Sequence, residues 1–143
     1  MTPTRVLLDT GPLVAYLNRR ESVHPWALQQ FRELSPPLLT CEAVITESFY
    51  LLRKVDGAQA RIFEMLERGV LSIGMNLSEE AGAVAGLFRR YDNVPASLAD
   101  ACLIRMSELH EPCAVLTLDS DFHVYRRHGR RTIPLIRPAP ESR

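Results

Sequence analysis

Two apolar runs stand out against the mixed polarity of the chain: Val6-Leu7-Leu8 and, much later, Cys113-Ala114-Val115-Leu116-Thr117-Leu118. Runs of this kind, lacking a period of two, mark strands covered on both faces, as in a parallel sheet. The first is followed by Asp9-Thr10-Gly11-Pro12. Gly11 relaxes a turn there, and proline is favoured at a first helical position, so residues 13–17 leave the strand as a helix.

The remaining pattern alternates helices with short strands. Asn18 to Glu21 read as a polar turn and Ser22 to Leu34 as a helix anchored by Trp26, Leu28 and Phe31, ended by Ser35-Pro36-Pro37. Leu38-Leu39 is a very short strand, and Thr40 is a good N-cap for a strongly apolar helix reaching Lys54. Residues 58–68 form a helix with Ile62, Phe63, Met65 and Leu66 inward, and 70–73 a strand. Ser78 caps a helix through Tyr91, a loop covers Asp92 to Pro95, and Ser97 opens a helix to Leu109. After the second long strand come a short helical piece and a last strand over 132–136, at the sheet edge if Pro134 lies inside it. Arg137 to Arg143 read as a frayed tail. This order predicts an α/β fold, a three-layer α/β/α sandwich with a mostly parallel sheet.

Composition narrows the class. The length of 143 residues suits one domain, 1–143, with its core over about 4–136. No apolar run approaches the ~18 residues that cross a bilayer, and there is no signal-peptide core at the N-terminus. Cys41, Cys102 and Cys113 are odd in number with no Cys-x-x-Cys spacing, which indicates neither a disulfide framework nor a zinc site. A cytoplasmic protein with no membrane partner is expected. The formal net charge is zero, yet residues 1–121 carry a net of −5 and residues 122–143 a net of +5. Arginine forks suit phosphate, so Arg126, Arg127, Arg130 and Arg131 are candidate contacts to a nucleic-acid backbone, with a solvated basic tail as the alternative.

Both clear strands end in acids: Asp9 after the first, Asp119 and Asp121 after the second. Carboxylates gathered at strand ends repel one another unless protonated or bridged by a cation, and hard divalent ions prefer oxygen ligands. Asp9 also fits a helix N-cap. Glu47 sits mid-helix among apolar neighbours, where uncompensated burial is expensive, so it is expected to point into the same acidic cavity. Ser97-x-x-Asp100 resembles a capping box, which gives Asp100 a structural alternative. No phosphate-binding loop, dinucleotide turn or nucleophile elbow is present, and His24, His110, His123 and His128 form no ligand pattern.

Leu8-Asp9-Thr10-Gly11, Ile45-Thr46-Glu47-Ser48, Leu98-Ala99-Asp100-Ala101 and Thr117-Leu118-Asp119-Ser120-Asp121-Phe122, in this order and spacing, resemble a PIN domain. The resemblance covers roughly residues 4–136 and is nearest to small single-domain PIN proteins, VapC-type toxins of toxin–antitoxin pairs. It implies a parallel sheet of about five strands and Mg²⁺- or Mn²⁺-dependent cleavage of RNA. Asp9, Glu47, Asp100 and Asp119 then form an acidic quartet. Asp9 and Asp119 are metal ligands, Asp100 a ligand directly or through water, and Glu47 positions water or completes the site. Asp121, Thr10 and Thr117 support them. An antitoxin partner and a homodimer are also implied. The alternatives are a receiver-like phosphoacceptor module, disfavoured by Asp9 standing alone after the first strand and by the sole lysine, Lys54, and a non-catalytic PIN-like scaffold.

Overall fold

β1 (Arg5–Leu8) lies at the centre of a five-stranded sheet, in the order β3-β2-β1-β4-β7, in which every pairing is parallel. The computed structural model describes residues 4–94 and 96–139; Pro95 and the last four residues of the expected tail lie outside them. β2 spans Leu38–Thr40, β3 Leu71–Ile73, β4 Cys113–Leu116 and β7 Leu135–Ile136. Helices α1 (Thr10–Leu17), α2 (His24–Glu33), α3 (Glu42–Leu51), α4 (Ala58–Glu67), α5 (Leu77–Arg90) and α6 (Leu98–Leu109) connect them. A 3₁₀ turn, Ser120–His123, follows β4, and a small antiparallel ribbon pairs β5 (Arg126–Arg127) with β6 (Arg131–Thr132).

The period of two along each strand sorts the core into two layers. On β1, Leu7 faces one cluster with Val115 and the buried face of α6, while Val6 and Leu8 face the other with Leu13, Leu38, Ile62 and Leu116. This is the α/β/α arrangement expected. Because β1 and β4 are neighbours in register, Leu8 opposite Leu116, their carboxyl ends open at the same edge.

Several local expectations are corrected. Thr40 does not cap α3: it ends β2, where its buried hydroxyl donates to the Leu8 carbonyl at 2.8 Å, and Cys41 occupies the cap position without a side-chain bond. Asn76, not Ser78, caps α5, accepting from the Glu79 amide. Phe63 stands outward, 55% exposed, edge-on to Phe49. The strand expected over 132–136 is divided, with residues 131–132 in the ribbon and 135–136 in the main sheet, because Pro134 carries no amide hydrogen to continue a ladder. Arg137 is anchored at the start of the expected frayed tail, donating to the Leu118 carbonyl at 3.1 Å.

Leu7 is fully buried on the central strand. Leu7→Ala is expected to lower unfolding stability by about 2–5 kcal/mol, read from urea midpoints.

Candidate active site

The end of β1 turns directly into α1, and Asp9 occupies the junction as the helix N-cap, its Oδ1 accepting from the Thr10 amide at 2.8 Å. Gly11 lets this turn approach Leu118 closely: a Cβ there would lie 3.2 Å from the Leu118 side chain, which would have to shift to admit it. Across the edge, β4 gives way to Thr117, whose hydroxyl donates to Asp9 Oδ2 at 2.6 Å and accepts from the Asp119 amide at 2.9 Å. Thr117 thus ties the ends of the two central strands together. Asp119 caps the 3₁₀ turn, accepting from the Asp121 amide.

Asp100 arrives from α6. Its amide donates to Ser97 Oγ and its Oδ2 accepts from the Ser97 amide, so the capping box exists. The same Oδ2 accepts from the hydroxyl of fully buried Tyr125 at 3.0 Å. One oxygen of Asp100 is therefore committed to structure, and the cap and a site role are compatible.

Asp9, Asp100 and Asp119 come together, with one carboxylate oxygen from each lying within 4.8 Å of the others. They floor a cleft of about 520 Å³ that Glu21 and Glu47 also line, and among the described residues no cation lines it. Glu47 stands on the wall, accepting from the Thr10 hydroxyl at 3.2 Å, but it is exposed, so the expensive burial expected of it does not arise. Asp121 is half-buried beside Asp119 and outside the three-carboxylate cluster.

Burial pushes the Asp9 carboxyl up to about 6, against the hydrogen bonds from Thr117 and Thr10, with the Asp100 and Asp119 charges adding to the rise. Asp100 shifts upward too, chiefly from burial, with the bonds from Ser97 and Tyr125 opposing. A desolvated set of all-oxygen donors whose charges oppose each other suits a hard divalent cation.

The basic segment does not reach this cleft. Arg127 is buried and ion-paired with Glu111, and it shares a cavity with Arg131, Pro112 and Cys113 at the opposite end of β4. Arg126 turns its guanidinium onto the carbonyls of His123, Val124 and Tyr125, while Arg130 and Arg131 are exposed.

The PIN domain family matches residues 6–127, which span all of these acids. The chain belongs to the PIN domain family. No match was found among curated proteins. Two features of this PIN domain's cleft escape the linear pattern: Glu21, hidden in a polar turn, and Tyr125, in a segment with no periodicity.

An acid whose carboxyl sits near 6 folded and near the usual 3.8 unfolded binds a proton in the native state that the unfolded chain has released. Stability of the metal-free protein should therefore fall as pH rises from about 4 to 6 and level off above, and Asp9→Asn should flatten that slope in urea titrations. The same proton competes with a cation, so the rise in Tm produced by Mn²⁺ should be full at about pH 7.5 and largely lost at about pH 5.

Proposed function

We propose that this PIN domain is a metal-dependent endoribonuclease and the toxin of a type II toxin–antitoxin pair. The observation that supports it best is the convergence of Asp9, Asp100 and Asp119 from three segments onto one edge of the sheet. These three are the proposed ligands of Mg²⁺ or Mn²⁺. A divalent ion bound there supplies charge neutralisation at a phosphodiester and lowers the pKa of water.

The protein's own part is positioning. Thr117 holds Asp9 and Asp119 in a fixed relation, and Tyr125 with Ser97 locks the rotamer of Asp100. Glu47, steadied by Thr10, offers an acceptor on the cleft wall that orients an attacking water. Asp121 supports the Asp119 turn through its amide. A phosphoacceptor module would require a lysine beside the acids, whereas Lys54 is exposed beyond α3 and does not line the cleft. The described helices include none long and apolar enough to cross a membrane. A cognate antitoxin and a homodimer complete the proposal, in a cytoplasmic setting.

Asp9→Asn and Asp119→Asn should each lower Mg²⁺- or Mn²⁺-dependent RNA cleavage by on the order of 10²-fold or more while circular dichroism stays native. Undiminished cleavage by either variant removes the site assignment. Induced expression should arrest growth, and co-expression of the neighbouring small open reading frame should relieve it; growth unaffected by the intact protein counts against the toxin role. Sequencing the RNA ends formed during arrest identifies the target.

A further inference from the structure

The cleft lined by five acids and no cation poses a problem for a polyanionic substrate: phosphates flanking the reacting one need partners outside it. The walls of the cleft point to where those partners are. Val14 and Ala15 of α1 and Glu47 and Leu51 of α3 line it. Just beyond, Leu17 at the end of α1, Arg19 and Arg20 after it, and Val55 after α3 line a second cavity of about 470 Å³, which Arg61 also borders. The two cavities are consecutive along one packed pair of helices.

The surface of α3 facing this path is built unlike a solvated helix face. Glu47, Tyr50 and Leu51 follow one another at i, i+3 and i+4 and so share a stripe. Within it Tyr50 is 63% and Leu51 49% exposed. The Arg53 guanidinium lies 4.1 Å from the Tyr50 ring centroid and donates to the Tyr50 carbonyl at 2.8 Å. Cation and ring are held as a unit, with the ring still open to solvent. Arg19 and Arg20 after α1 and Arg53 and Lys54 after α3 are all exposed, against Glu21 and Asp56. An exposed aromatic ring together with several exposed cations is the combination that binds single strands by base stacking and backbone contacts.

Resting on the ribonuclease reading, we infer that single-stranded RNA enters the acidic cleft along the furrow between α1 and α3. One unpaired base stacks on Tyr50, and the phosphates beyond it lie against Arg19, Arg20 and Arg53. A duplex is excluded because its bases offer no free face.

The test is fluorescence anisotropy of a fluorescein-labelled RNA of about 12 unpaired nucleotides with EDTA present, so that binding is read without cleavage. Arg19→Gln with Arg20→Gln should weaken binding about 10-fold and lower the salt slope by about 1.4, the effect of two lost single-strand phosphate contacts. Tyr50→Ala should weaken it about 10-fold and Tyr50→Phe should restore it, an outcome that stacking predicts and loss of the hydroxyl does not. Arg130→Gln with Arg131→Gln should bind as the wild type does. Wild-type binding by the Arg19/Arg20 and Tyr50→Ala variants, including the case in which they lose a protein partner instead, overturns the furrow. If the wild type cleaves RNA in that event, the nuclease reading stands; a wild type that neither binds nor cleaves removes both.

Discussion

Placing three like charges where water is scarce is the constraint on which this structure turns. A parallel sheet puts every carboxyl end on one edge, and the register of β1 against β4 sets Asp9 beside Thr117. The repulsion that results is met by a set of donors fixed in advance. Backbone amides at Thr10 and Asp121, the Thr117 and Tyr125 hydroxyls and the Ser97 amide each hold one carboxylate oxygen. These bonds lower the cost of the charges without removing it, since burial still outweighs them at Asp9 and at Asp100. The leftover electrostatic demand is what a cation would satisfy.

Much of this frame could be read from residue order alone because its causes are local. Val6 to Leu8 and Cys113 to Leu116 announce covered strands by having no polar face, and the acids next to them fall at the strand ends of necessity. Ser97 and Asp100 form their capping box within four residues. Contacts between distant segments left no such trace. Thr40 looks like any helix cap, and only the neighbouring strand shows that its hydroxyl belongs to Leu8. The spacing of Phe63 predicts an inward ring, yet the helix turns that edge to solvent. Tyr125 acts on Asp100 across 25 positions, and Glu21 reaches the cleft only because α1 ends beside it.

The charge distribution shows how far linear clustering can mislead about surfaces. Six arginines follow Phe122 in the sequence, but among the described residues the fold occupies several of them: Arg127 is consumed by Glu111, Arg126 by a run of carbonyls, and Arg137 by Leu118. Cations from the acidic part of the sequence, Arg19, Arg20 and Arg61, instead line one cavity beside the ends of α1 and α3. Net charge by segment measured composition, and the helix ends decided the field.

The tyrosine bond to Asp100 joins parts of the molecule that differ in how they are held. Asp9 hangs from the central strand, which is paired on both sides. Tyr125 comes from a stretch of one 3₁₀ turn and two-residue strands, tied to the core by its own buried ring, which packs edge-on against Tyr91 and Phe122. Without the Tyr125 bond, Asp100 would be held by the Ser97 amide alone. The geometry of the acidic edge thus depends on aromatic packing outside the sheet as well as on the strand that carries Asp9.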